Sequence, residues 1–369
     1  MITESRARGS MIAIRIVVML AFLSVGATAR AEEAYHCYFG NTHSHTSYSD
    51  GKETPADHFR KARTAGYDFY AVTDHALARC KRFTTQSYED TKREADRFTD
   101  SAFVAIAGFE FTESDGPGGK GHLTVLNTQG YLDATGNSVD LGVFYDWLVT
   151  NQPTTVAASF NHPDKSTYNG FDYLTDARRD GVTMYEMINN RKLRYDGFFV
   201  ALRKGWRVAP IGAEDGHGTD RIATDLYRTG VLATSLTREN IMQGIRQRRV
   251  YCTWDKNLRL TFSANGRIMG SVLNNPASVD FRVSVYDPDA TDANDRITRI
   301  EIVGDDDTVV AAKDFSSHAV TWAVTASPHR TCYFAKVYAA DKTDGPTAYS
   351  APIWVEGATP DTAQGQKAL

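Results

Sequence analysis

The sequence predicts an α/β domain over residues 35–258, a closed barrel of about seven strand–helix units, followed by a small β-sandwich over residues 259–356. Two patterns carry this expectation. From Tyr35 to about Leu260, short apolar runs alternate with amphipathic stretches, which implies parallel strands joined by helices. After Arg259, apolar and polar residues alternate in short runs separated by Gly, Asn, Asp and Pro, with no helical period between them. A chain of 369 residues with 42% hydrophobic and 23% charged residues is enough to build two such cores.

The elements follow in chain order. Arg6, Arg8 and Arg15 precede an apolar run from Ile16 to Val25, then Gly26-Ala27-Thr28-Ala29-Arg30-Ala31. A positive start, a short apolar stretch and small residues spaced as A-x-A read as an export signal over residues 1–31, cut after Ala29 or Ala31. The apolar run is well short of the roughly 20 residues that span a bilayer, so the mature chain is expected free of the membrane, in a bacterial periplasm or secreted. Strands are expected at Cys37–Asn41, Asp68–Thr73, Phe103–Phe109, Leu123–Asn127, Thr155–Phe160, Thr183–Ile188 and Val208–Gly212. The clearest helix runs from Pro55 to Ala65, with Thr54 as its N-cap, Pro55 in its first turn and Gly66 as its stop. The sandwich strands are expected at Leu258–Phe262, Val279–Val285, Ile297–Ile302, Thr308–Ala311, Ala319–Val324, Cys332–Val337 and Ala351–Val355, with a flexible tail over 357–369.

A formal net charge of −4 argues against a surface that coats nucleic acid. Cys37, Cys80, Cys252 and Cys332 leave disulfides and buried thiols equally open, since four cysteines allow three pairings. None forms a C-x-x-C pair, which weighs against a thiolate zinc site.

The informative feature is where imidazoles and carboxylates fall. His43 and His45 close the first strand, and residues two apart on an extended segment project to one side. Asp50 follows on the next turn. His75 ends the second strand, Glu110 ends the third, and His122 opens the strand after a glycine-rich loop. His162 follows the fifth strand, and Asp215 and His217, again two apart, follow the last. In an α/β barrel the C-terminal strand ends converge on one mouth. A single histidine at a strand end is more often a hydrogen-bonded structural residue, but here six of ten histidines share that placement in one domain. Imidazole with carboxylate suits zinc, manganese or iron, and nine donors exceed what one tetrahedral ion uses.

His43-Ser44-His45-Thr46-Ser47-Tyr48-Ser49-Asp50-Gly51, Thr73-Asp74-His75 and Asn161-His162-Pro163 resemble the PHP (polymerase and histidinol phosphatase) superfamily. The chain order His, His, Asp, His, Glu, His, His, Asp, His is similar to that family's nine-position ligand pattern, over roughly Cys37 to Asp255. An export signal in front and a β-sandwich behind, ending in Ser350-Ala351-Pro352-Ile353-Trp354-Val355, look like the CehA/McbA-type branch. The resemblance implies a distorted (β/α)7 barrel and two or three divalent ions (Mn, Zn or Fe). By analogy one ion takes His43, His45, Glu110 and Asp215; a second shares Glu110 and adds His122 and His162; a third takes Asp50, His75 and His217. Asp50 stands where some members have histidine.

Paired divalent ions supply a metal-bridging hydroxide at neutral pH and polarise the electrophilic oxygen, so no protein nucleophile is required. None is advertised, because G-x-S-x-G is absent. The expected function is hydrolysis of a phosphoester of a small molecule or nucleotide, with Glu110, Asp215 and His217 at the reacting centre. The alternatives are a carbamate, carboxyl ester or amide hydrolase, and, in another class, a non-catalytic binder of a glycan or partner. Lys120, Asn161, Lys165 and Arg191 are candidates for contact with an anionic substrate, whereas Phe111, Tyr168 and Phe171 favour an apolar one. Asp74 and Glu186 are expected to support the ligands rather than join them. Asp287, Asp289, Asp292, Asn294 and Asp295 lack the glycine and terminal glutamate of a calcium loop and are expected to be a solvated connection.

Overall fold

The structure, a computed structural model, describes residues 34–77, 82–113, 121–134, 139–151, 155–289 and 291–358. The expected export signal, Cys80, Lys120 and all but the first two residues of the expected tail lie outside them.

Among the described residues the first eleven strands are β1 (His36–Asn41), β2 (Phe69–Val72), β3 (His75–Ala76), β4 (Val104–Thr112), β5 (His122–Leu126), β6 (Ala157–Asn161), β7 (Val182–Asn189), β8 (Lys192–Leu193), β9 (Ala209–Ala213), β10 (Arg228–Ala233) and β11 (Val250–Thr253). β1 is parallel to β2, β2 to β4, β6 to β7 and β7 to β9. The fold is thus mixed α/β with a large sheet, but the sheet is not all parallel. β5 runs antiparallel to both β4 and β6. The reason is the short link between Thr112 and His122, too short for the dozen or more residues of a crossover. β10 also runs antiparallel to β1, and β11 to β10. The segments that follow β1 and β9 meet through a parallel bridge, Ser44 to Gly216, and through the Asp215 amide, which donates to the His43 carbonyl at 3.1 Å; β10 is tied to β9 by the Thr229 hydroxyl, which donates to the Gly212 carbonyl at 2.8 Å.

Local chemistry explains the elements. The helix Pro55–Thr64 carries a full capping box: the Thr54 hydroxyl accepts from the Asp57 amide, and the Asp57 carboxylate accepts from the Thr54 amide. Every residue of β4 and β7 is buried, as expected for strands covered on both faces.

The C-terminal part forms two β-layers. One is antiparallel, built from Arg259–Ala264, Arg267–Ile268, Val279–Tyr286 and Ala319–Ala326. The other joins Ile297–Gly304, Val309–Ser317 and Cys332–Ala339 to Ala348–Ser350 and Ile353–Glu356. The layers meet where Phe281 packs edge-on against Tyr333, with ring centroids 5.0 Å apart. Ala348–Ser350 also pairs with β11, so one ladder runs from the N-terminal strands into the C-terminal ones. Phe334 packs against Phe198 and Phe199 of the helix Tyr195–Lys204 at 5.7 and 6.0 Å. Cys37, Cys252 and Cys332 are free thiols, and Cys37 Sγ lies 2.8 Å from the Tyr251 hydroxyl.

Because Phe334 is fully buried between these parts, Phe334→Ala is expected to cost about 3 to 5 kcal/mol. Calorimetry should show one cooperative transition moving down as a whole. Two transitions, with only one shifted, would contradict the shared core.

Candidate metal centre

β1 delivers the first two imidazoles. Beyond Asn41 the chain bends at Thr42, and the Ser44 hydroxyl donates to the Ala71 carbonyl at 2.8 Å. His43 and His45 are fully buried, with their Nε2 atoms 2.9 Å apart. Asp215 Oδ1 lies 3.6 Å from His43 Nε2 and 3.2 Å from His45 Nε2. The end of β4 places Glu110 at the middle of the cluster. Its Oε1 is 3.3 Å from His43 Nε2, 3.5 Å from His122 Nδ1 and 3.6 Å from His162 Nε2. Its Oε2 is 3.6 Å from His45 Nε2 and 2.6 Å from His75 Nδ1. One carboxylate therefore lies against five imidazoles.

His122 reaches this edge because β5 is antiparallel. Its first residue pairs with Thr112 at the end of β4 and with Asn161 at the end of β6. Gly121 before it leaves room for the Tyr168 ring, which a Cβ would meet at 2.2 Å. Asp50 closes the outer side, with Oδ2 3.6 Å from His75 Nε2 and Oδ1 3.3 Å from His217 Nε2. This part is the most open, since the Asp50 and His217 side chains are 55% and 42% exposed. All nine expected positions meet in one cluster. Three overlapping donor groups arise: His43, His45 and Asp215; His75, Glu110 and His122; His45, Asp50, His75 and His217.

Buried polar partners fix the orientation. Glu186 binds His43 Nδ1 at 2.7 Å and accepts from the His162 amide at 2.6 Å and from Asn189 at 2.9 Å, leaving His43 Nε2 to face the centre. Asp74 accepts from the Thr46 amide and hydroxyl, each at 2.7 Å, and from Ser49 at 2.6 Å, tying the His45–Asp50 turn to the end of β2. Asn161 donates to Glu110 Oε1 at 2.7 Å and to Thr124 at 2.9 Å, and is itself buried. Lys165 pairs with Asp196 at 3.0 Å beside a cavity of about 570 Å³. Arg191 donates from Nε to Asp225 Oδ1 at 2.6 Å. Phe111, Tyr168 and Phe171 are fully buried in the core, so they supply no apolar wall to a substrate. The acidic group in the C-terminal layers differs in kind: Asp255, Asp287 and Asp295 approach one another without an imidazole, and Asp287 is buried rather than solvated.

The electrostatics demand positive charge at the centre. Burial alone would raise the Glu110 carboxyl, but His43, His75 and His122 hold it well below the usual range. Burial also works to discharge His43, yet Glu110, Glu186 and Asp215 push its pKa well above that of an ordinary histidine. Burial lowers His45 to about 4 against the pull of Asp215, which keeps this imidazole neutral and its lone pair available. Glu110 Oε2 and His122 Nδ1 are buried without an aligned hydrogen-bond partner. A tetrahedral ion with bonds of about 2.0 to 2.1 Å needs ligand atoms roughly 3.3 to 3.4 Å apart. The separations of 2.9, 3.2 and 3.6 Å among His43, His45 and Asp215 bracket that value. The residues fit divalent metal.

The PHP domain matches residues 41–155. That segment holds six of the nine positions, His43, His45, Asp50, His75, Glu110 and His122; the fold brings the other three to them from later in the chain. No curated protein matches the chain significantly. Among solved structures, a two-domain protein from Bacteroides vulgatus containing a predicted PHP-like metal-dependent phosphoesterase is 14% identical, covering 86% of this chain and 95% of its own, with a TM-score of 0.48. A Bifidobacterium adolescentis protein described as a metal-dependent phosphoesterase is 14% identical, covering 49% of this chain and 88% of its own, with a TM-score of 0.29. An amidohydrolase from Chromobacterium violaceum with bound sulfate and no metal is 18% identical, covering 30% and 34%, with a TM-score of 0.18. The PHP-domain match and the clustered donors fit a metal-dependent hydrolase.

Glu186→Gln should weaken metal binding about 10- to 100-fold by loosening His43, and should also lower the thermal stability of the metal-free protein, because it removes the charge of a buried partner of His43. Unchanged affinity in a metal-competition titration would remove that role.

Proposed function

We propose that this chain, with its PHP-domain match over residues 41–155, is an exported hydrolase that cleaves phosphoesters of small molecules or nucleotides at a centre of two or three Mn, Zn or Fe ions. The observation that carries the reading is the single Glu110 carboxylate set against five imidazoles, an arrangement suited to sharing one carboxylate between ions. His43, His45, Glu110 and Asp215 would hold one ion, His122 and His162 with Glu110 a second, and Asp50, His75 and His217 a third. Bound divalent ions would supply Lewis acidity and a nucleophile derived from water at neutral pH.

The protein's own part is orientation. Glu186 and Asn161 lock His43 and Glu110, so the cluster is ordered before substrate arrives. Of the two innermost carboxylates, Glu110 is fully buried while Asp215 is 17% exposed, so Asp215 is the one nearer the open side of the cluster. His217 and Asp50, at the open side, border the path by which substrate enters. The burial of Phe111, Tyr168 and Phe171 favours a phosphoester over an aryl ester or carbamate, because no apolar pocket faces the cluster from them. Export rests on residues 1–31; among the described residues no helix is long and apolar enough to cross a membrane.

The purified protein is expected to carry more than one equivalent of Mn, Fe or Zn by elemental analysis, and a folded, fully active metal-free preparation would sink the proposal. Glu110→Ala should abolish turnover and remove more than one ion per chain. A screen of the metal-reconstituted protein against phosphomonoester, phosphodiester, aryl ester and carbamate substrates tests the substrate class, and hydrolysis confined to neutral esters would overturn it.

A further inference from the structure

Arg191 and Arg221 meet on one buried carboxylate beside the metal cluster. Asp225, whose side chain is wholly buried, accepts from Nε and from a terminal nitrogen of Arg191 on Oδ1. On Oδ2 it accepts from Arg221 at 2.8 Å and from the Tyr227 hydroxyl at 3.0 Å. Arg221 also donates to Asn190 Oδ1 at 2.6 Å. Two guanidiniums on one carboxylate leave a net positive charge.

The strand register sets Arg191 at the same sheet edge as Asp215. Asn189 of β7 pairs with Ala213 of β9, and the Asn190 amide donates to the Ala213 carbonyl at 3.3 Å. Arg191 and Asp215 are therefore each two residues beyond a paired position, just past the ends of the adjacent parallel strands β7 and β9. Arg221 enters from the segment that follows His217.

Two features separate this group from an ordinary structural brace. Asn190 and Arg191 have φ of 48° and 61°, a left-handed conformation that is strained for non-glycine residues. And Arg191 is 56% exposed although its guanidinium is anchored, so its remaining terminal nitrogen faces solvent in a fixed orientation. An exposed arginine is normally mobile; anchoring it removes entropy that ligand binding would otherwise cost. Arg221 adds a buried Nε with no hydrogen-bond partner.

We infer that Arg191 and Arg221, braced by Asp225, form a clamp for a phosphoryl group of the substrate. The terminal nitrogen that Arg191 keeps free, backed by the positive charge of Arg221, suits the oxygens of a phosphate better than a neutral ester or carbamate. The clamp rests on the phosphoester reading and names the residues that would enforce it.

The test is calorimetric titration of the metal-loaded protein with inorganic phosphate. Arg191→Ala and Arg221→Ala are each expected to weaken phosphate binding at least tenfold with metal content unchanged, and Arg191→Lys to restore it only in part. In kinetics with a phosphomonoester the loss should appear chiefly in KM. Phosphate binding equal to wild type in both alanine variants, or no phosphate binding by the wild type, overturns the clamp. Arginine-dependent phosphate binding without hydrolysis of any phosphoester would uphold the clamp and overturn the proposed reaction. Arg191 is exposed, so its variant remains informative even where Arg221→Ala disturbs folding.

Discussion

A carboxylate with no solvent contact must be neutralised or surrounded by positive charge, and Glu110 poses that demand at the centre of this protein. Five imidazoles answer it, and none is adjacent to Glu110 in sequence. They come from the segment after β1, the start of β3, the start of β5 and the turn after β6. The strand lengths and the direction of β5 have to bring these positions to one edge, or a buried charge would be left unmatched. Glu186, Asp74 and Asn161 carry the same demand outward, each satisfied by groups that also orient a ligand or the Glu110 carboxylate. The centre is therefore a network in which loss of one outer partner disturbs several inner ones.

Much of this is legible in the sequence alone. The strand ends that carry His43, His45, His75, Glu110 and Asp215 can be read from apolar runs that stop at polar residues, because a strand buried on both faces must be apolar until it reaches the mouth. Helix Pro55–Thr64 was equally plain from its cap. The direction of β5 was not, since periodicity reports burial and says nothing of orientation. β10 and β11 escaped notice for a related reason: they are short and wholly buried, and β10 opens on Arg228 and includes Thr229 and Gly230, so neither alternation nor a long apolar run marks them. Asp225 and Arg221 lie in an irregular segment where no pattern distinguishes a buried ion pair from solvated loop. Only the fold shows that the Asp225 carboxylate is enclosed.

The backbone records where order is imposed against local preference. His162, Asn190, Arg191 and Asp215 all have positive φ, at 33°, 48°, 61° and 50°. All four follow the ends of β6, β7 and β9, at the same edge. Such conformations persist only where surrounding structure over-determines them, and here the constraints are visible. The His162 amide is held by Glu186, the Asn190 amide by Ala213, the Arg191 guanidinium by Asp225 and the Asp215 amide by the His43 carbonyl at 3.1 Å.

That reasoning extends to the C-terminal layers, which bear on the site although they contribute no ligand to it. The strained turn at Asn190–Arg191 leads through β8 into helix Tyr195–Lys204, which is clamped from the far side. The Tyr195 hydroxyl donates to Asp307 at 2.6 Å, Lys336 lies over the Tyr195 ring at 5.0 Å, and Phe334 packs on Phe198 and Phe199. A helix free to shift would let the turn relax and release Arg191 from its fixed direction. The same layers pair Ala348–Ser350 with the edge of β11, closing a ladder that would otherwise present unpaired amides to solvent. In physical terms the two parts divide the work: the N-terminal strands gather the charges, and the C-terminal layers hold the segment that must not move.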